Sequence, residues 1–296
     1  MDVAPVNEET TPQMGVLQQS HLARPMKPQP AVLFFIISLI GFSPSFRPVQ
    51  AADSRPADLQ HQIETVISRI YDQYGLRIFY KGIPDSRWPQ ILYQQADTGD
   101  YPGILRYLGV FEEEIKKYPP GFSAKIRLKG FILIKKLFYN EKPGEGLYDF
   151  RNNVVFLDFA RRKHNLLAKR HNLHHEIFHV IAYQTGHTAL QRKDEAWGRL
   201  ETGDLKNDPG ENPAAGTTPF TPPQPGFITH YAMSATDEDK AEVFAGMMVA
   251  SQHRVLLKWA QKDPILRKKL KEMKAFIQDF EAGMDEGYWS RLAGGL

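Results

Sequence analysis

The chain has 296 residues, 42% hydrophobic and 24% charged, enough for one large globular domain or two small ones. A formal net charge of +3 is too weak to point to a nucleic-acid partner. The absence of cysteine excludes disulfides, thiolate metal ligands and a cysteine nucleophile, so any zinc ion would have to be held by histidine and carboxylate.

Residues 1–51 read as an amino-terminal extension carrying an export signal. After Met26, Lys27 supplies a short basic start, Ala31 to Phe42 an apolar run, and Val49-Gln50-Ala51 a small-residue cleavage site. The run is too short for a comfortable membrane span of ~20 residues. These features predict a secreted or periplasmic protein that begins near Ala52, has no stable membrane insertion after cleavage, and folds as a single domain over 52–296.

The mature chain opens on a predicted helix, with Leu59, Ile63, Val66, Ile67, Ile70 and Tyr74 forming one stripe and Gly75 supplying the stop. A short strand, Leu76 to Tyr80, follows. A second helix runs from Pro102 to Tyr118, with Ile104, Leu105, Leu108, Phe111 and Ile115 inward, Glu112, Glu113, Glu114, Lys116 and Lys117 outward, and Pro119-Pro120-Gly121 as its end. Lys125 to Tyr139 and Asn153 to Asp158 read as β region, separated by a turn over Glu141 to Gly146. A strand bordering a cleft would lie at Gly146 to Asp149 or at Asn153 to Leu157, where an extended peptide could add to its edge.

Asn165 to Gln184 is a predicted helix that is apolar nearly all round, with the line His171, His175, His179 as its polar exception. Within it, His175-Glu176-Ile177-Phe178-His179 is an HExxH sequence. Residues four apart share a helix face, so His175 and His179 can present two imidazoles to one metal ion, with Glu176 beside it as general base toward a water. His171 and His174, taken singly, read as hydrogen-bonded histidines. A catalytic zinc needs a third protein ligand and an open position. The third histidine of metzincins would fall on Thr185, and the glutamate of the large aminopeptidases on Gly198, so neither spacing applies.

Lys193 to Pro225 is rich in Gly, Pro, Thr and acidic residues and reads as a long loop. Beyond it, Thr236 or Ser234 would cap a helix whose first turn holds Asp237, Glu238 and Asp239. Glu238 and Glu242 stand four apart on one face, and on spacing alone either could be the missing ligand. Val255 to Trp259 and Pro264 to Phe280 read as further helices. The second sets Leu266, Leu270, Met273, Phe276 and Ile277 against an outer basic face of Arg267, Lys268, Lys269, Lys271 and Lys274, and a last short helix ends the chain.

Tyr231, then Glu238 seven residues on, then Ala-Glu-Val-Phe at 241–244, resembles the glutamate helix of the anthrax lethal factor and Pro-Pro endopeptidase family. Glu195-Ala-Trp197, the Pro/Gly-rich loop and Gly226-Phe227 leading to Tyr231-Ala232 resemble a group of uncharacterised bacterial zinc-binding metallopeptidases. The resemblance covers about Asn153 to Val249, and Ile177-Phe178 stands where the toxins have Phe-Gly. It implies an α+β, zincin-like fold: a small mixed sheet, the HExxH helix and a following glutamate helix. It further implies Zn2+ held by His175, His179 and Glu238, Tyr231 as transition-state stabiliser, and Glu242 as a carboxylate behind the ligands. The expectation is a zinc-dependent endopeptidase acting on protein or peptide substrates. The alternative is an inactive binding protein that keeps the fold and a structural metal. Oligomeric state is not legible.

Overall fold

A computed structural model describes residues 55–83, 90–187, 195–200 and 220–294. The extension and export signal read over residues 1–51, and most of the long loop before Pro225, lie outside them. Helix α1, Pro56–Tyr74, starts on a proline whose missing N–H costs nothing in the first turn. It ends where Gly75 takes φ 67, a left-handed conformation open to a residue without Cβ. Ile63 and Ile70 are its fully buried contacts, turned toward α2, Tyr101–Ile115, which answers with Ile104, Leu108 and Phe111.

The predicted outward face of α2 needs a correction. Glu114 is completely buried, because α2 meets the histidine helix along that side rather than water. Its carboxylate accepts from His174 Nε2 at 2.7 Å and pairs with Lys117 and Arg170, while His174 Nδ1 meets the Tyr118 hydroxyl at 2.7 Å. Burial alone would raise this carboxyl, but the His174 and Lys117 bonds pull it down to about 2. Three glutamates in a row looked solvated. One of them closes a buried ion network instead.

The sheet runs in the order β1 (Ile78–Phe79), β3 (Gly130–Tyr139), β6 (Val154–Asp158), β5 (Gly146–Asp149). Strands β1 and β6 lie parallel to β3, and β5 pairs antiparallel with β6, so β5 is an edge. Two-residue alternation divides the side chains between the faces. Phe131 and Leu133 of β3, with Val155 and Leu157 of β6, enter the large core shared with the helices. Ile132 and Ile134, with Phe156, meet Ile83, Ile91 and Leu137 in a small cluster on the other face. Strands β2 (Ile91–Gln94) and β4 (Lys142–Pro143) pair with the far half of β3, beyond a bend where Lys136 takes φ 53. Lys125 does not begin the strand as expected: it lies in a one-turn helix, α3, Phe122–Ile126, started at Gly121.

Helix α4, Leu166–Thr185, is capped by Asn165, whose side chain accepts from the Ala168 N–H at 3.0 Å, and stops at Gly186 with φ 76. It packs beneath the sheet against α6, Thr236–Met248, and the one-turn α5, Glu195–Gly198, precedes α6 in the chain. Helices α7 (Ala250–Ala260), α8 (Pro264–Phe280) and α9 (Glu286–Gly294) close the far side. Helix α8 departs from its predicted polarity at Lys269, which is wholly buried. Its Nζ donates to Asp239 Oδ2 at 2.6 Å and to the Gly226 carbonyl at 2.9 Å, and lies 4.0 Å from the centre of the Phe227 ring. Trp197 Nε1 donates to the same Asp239 oxygen at 2.6 Å. One buried ion pair therefore ties both ends of the long loop to the start of α6. The described residues all belong to one compact unit, 51–296, and no described helix is long and apolar enough to cross a membrane.

Candidate metal centre

Where α4 passes α6, three side chains converge. His175 Nε2 lies 3.0 Å from Glu238 Oε2 and 3.1 Å from His179 Nε2, and His179 Nε2 lies 3.5 Å from Glu238 Oε2. Ligands 2.0–2.1 Å from a tetrahedral zinc are separated by edges of about 3.3 Å. The triangle already has nearly that size, so these three atoms fit an ion of that radius. The side chains of His179 and Glu238 are 20% and 24% exposed, which leaves one side of the group open.

Glu242, a turn deeper on α6, is buried and fully engaged. Its Oε1 lies 3.0 Å from His175 Nδ1 and 3.0 Å from His171 Nε2, and its Oε2 accepts from the Thr229 hydroxyl at 2.8 Å. By holding His175 through Nδ1, it leaves Nε2 to face the outer triangle. His171, His175 and Glu242 form a second group close enough to hold an ion. The two groups share His175. The inner one is entirely buried, and its glutamate oxygens are taken up by hydrogen bonds; the outer one has the access that a catalytic ion needs.

The electrostatics are those of a site short of positive charge. Burial disfavours a charged His175, yet its bonds to Glu238 and Glu242 win and lift its pKa well above the usual imidazole value. Burial likewise opposes ionisation of Glu238 and Glu242, but neighbouring His179 and His171 respectively, with His175, hold both carboxyls far below their usual range. A proton on His175 between two carboxylates stands where a cation would stand, and metal binding would displace it.

Glu176 lies against β5, close enough to His175, His179 and Glu238 for their charges to act on it. Burial raises its pKa, and the Tyr148 N–H donates to it. Contact with the strand is so close that a Cβ at Gly146 would lie 2.4 Å from Glu176 Oε1 and 2.7 Å from Asn172 Nδ2. Glycine at 146 is therefore a spatial requirement. The pairing of β5 with β6 explains the donated N–H: the Asp158 N–H donates to the Glu145 carbonyl at 2.8 Å, and alternation then turns the N–H and C=O groups of Gly146 and Tyr148 outward, away from β6.

Tyr231 lies in a 3-10 turn, Tyr231–Met233, its ring centre 5.7 Å from that of His175. Burial first, and Glu238 next, raise its phenol well above the ordinary value. Thr229 caps this turn by accepting from the Ala232 N–H at 3.1 Å while donating to Glu242. The expected cap of α6 is absent: Ala235 is the N-cap and makes no side-chain bond, so neither Thr236 nor Ser234 plays that part.

All six residues singled out in the sequence thus come together, with Glu176 against β5 and the other five around the α4–α6 crossing. Sequence reasoning missed Thr229, and it missed Gln252, whose Oε1 lies 2.8 Å from His171 Nδ1. Neither sits in a motif. The four-residue step from His171 to His175 was the only available sign that the polar line extends inward.

No family model and no curated protein matches the chain. Among solved structures, it is similar to the crystal structure of "a putative zinc-binding metallo-peptidase" from Bacteroides caccae, with 15% identity and a TM-score of 0.50 over 79% of this chain and 91% of that one. At that identity the likeness speaks for the fold. Matching that structure over most of both chains, with HExxH on α4 facing glutamates on α6, this chain has a zincin-like α+β metallopeptidase fold with a candidate His/His/Glu metal site.

Proposed function

We propose that the chain is a zinc-dependent endopeptidase in which His175, His179 and Glu238 hold the ion. The observation that carries this reading is the meeting of an open, zinc-sized triangle of ligand atoms with a buried glutamate pressed against a sheet edge. Zinc, when bound, supplies a Lewis acid that polarises a peptide carbonyl and makes water a usable nucleophile near neutral pH.

The chain's own groups supply the rest. Burial raises the pKa of Glu176, which suits its carboxylate to take the proton from the attacking water and hand it to the departing amine. Tyr231 keeps its proton because burial raises the phenol, and so serves as donor to the developing oxyanion. Glu242 orients His175. With the Tyr148 N–H taken by Glu176, the outward N–H and C=O of Gly146 and the C=O of Tyr148 offer an extended peptide a strand edge to pair with, which favours peptide over small-molecule substrates.

Metal analysis of the purified chain, with a peptide-library digest read by mass spectrometry, tests the reading. One zinc per chain, cleavage abolished by chelation and restored by zinc, is the expected result. A chain that holds zinc yet cleaves no peptide would support the inactive, metal-bearing binding protein instead. The Tyr231→Phe variant should lose kcat more than it gains KM, because its hydrogen bond strengthens only as the oxyanion forms; steady-state kinetics in which KM alone changes would make Tyr231 a substrate contact. Gly146→Ala should cut kcat/KM by about tenfold or more at unchanged zinc content, since a displacement near 1 Å at the base is costly. Wild-type turnover in that variant would mean that the contact with Glu176 is dispensable.

Export through the segment before Ala52 belongs to the same proposal and rests on the pattern of residues 26–51. Amino-terminal sequencing of the secreted protein should begin at or next to Ala52; a retained Met1 or Met26 would refute it.

A further inference from the structure

Past the metal site, α4 and β5 run side by side to a second concavity. Tyr183 follows His179 by four residues, one turn along the same helix face, a step of about 6 Å. Tyr148 follows Gly146 by two residues, about 7 Å along β5. Their rings meet edge to face, with centres 5.9 Å apart, and Phe150 lies against Tyr183 at 5.2 Å. These residues, with Phe280, Lys125 and Arg127, line a cleft of about 680 Å³, a size ordinary for binding small groups.

The walls are built and the charges are mostly spoken for. The Tyr148 hydroxyl donates to Asn153 Oδ1 at 3.1 Å, which sets its ring plane. Lys125 is held by Glu281 at 2.9 Å and by the Phe280 carbonyl. Aromatic surface remains on offer: Phe150, packed against Tyr183 and with the Arg151 guanidinium 5.5 Å from its ring centre, is still 39% exposed. Ring against ring adds to plain burial, so an aromatic side chain is the occupant these walls reward most.

Direction follows from the sheet. Gly146 stands at the base, Glu176, and β5 runs from there toward the cleft. A peptide pairing antiparallel to this edge runs the opposite way, from the cleft to the base. We infer that the cleft of Tyr148, Phe150 and Tyr183 is a specificity subsite for an aromatic side chain on the amino-terminal side of the scissile bond, within about two residues of it. This rests on the endopeptidase reading and adds the class of substrate.

The test is a peptide-library digest by the full zinc-loaded chain, followed by matched peptides bearing Phe or Ala at the selected position, cleaved by the wild type and by Phe150→Ala. Residue 150 is exposed enough for that variant to fold. Enrichment of Phe, Tyr and Trp before the cleaved bond is expected, and the Phe-over-Ala ratio of kcat/KM should fall about tenfold in the variant, a usual size for an aromatic pair. Enrichment of acidic residues would mean that Arg127 dominates the cleft and would overturn the inference, as would aromatics selected only after the bond or a ratio unchanged by Phe150→Ala. If a chain holding one zinc cleaves no peptide at all, the endopeptidase reading falls and the subsite with it; cleavage without aromatic preference removes the subsite alone.

Discussion

Glu176→Gln is expected to abolish peptide hydrolysis while zinc stays bound. Glutamine has the shape of glutamate, so it fits the same narrow space beside Gly146 and Asn172, but it cannot accept the proton of the attacking water. General-base contributions are typically about 10² to 10⁴-fold, and here the same carboxylate must also deliver the proton to the leaving amine, which places the expected loss at the upper end. The zinc content should not change, because Glu176 faces β5 and is not one of the three atoms of the triangle. Turnover measured alongside metal analysis checks both halves. Substantial hydrolysis by this variant would place the base elsewhere; loss of zinc would make Glu176 a ligand.

The second large effect separates the two glutamates of α6. Glu238→Ala removes one corner of the triangle and should leave the protein metal-free at micromolar zinc. Glu242→Ala leaves the three corners in place but strips His175 Nδ1, His171 Nε2 and the Thr229 hydroxyl of their common acceptor. Removing a partner of this kind typically weakens metal affinity by about 10- to 100-fold. That variant should refill, and recover part of its activity, on zinc titration. Its stability should also fall, by about 1–3 kcal/mol for each donor left buried without a partner. The reverse pattern, with Glu238→Ala refilling and Glu242→Ala remaining empty, would move the ion to the inner group of His171, His175 and Glu242.

Much of the centre could be read from spacing because both contributing elements are helices. A helix converts a step of four into a shared face wherever it lies in the molecule, so His175 with His179, and Glu238 with Glu242, were paired before any fold was known. The same rule misjudged Glu114 and Lys269. Both sit among charged neighbours in sequence, and their burial depends on which helix happens to lie opposite: α4 and His174 for the first, α6 and Asp239 for the second. Charge runs describe a solvated face only if nothing packs there.

The chain's sequence by itself determined the HExxH helix, the bounds of that helix and of α8, the candidate ligands and the absence of thiolate chemistry, since each of these depends on residue type and local period. It left Glu238 and Glu242 equivalent on spacing, and it left two candidate strands for the cleft. The tertiary structure distinguished both pairs. Glu238 faces the open triangle while Glu242 lies saturated behind it, and β5 rather than β6 is the edge, because β6 is paired on both sides, with β3 and β5. Which carboxylate lies open and which strand forms the sheet edge depend on what stands across a gap, set by contacts between residues far apart in the chain.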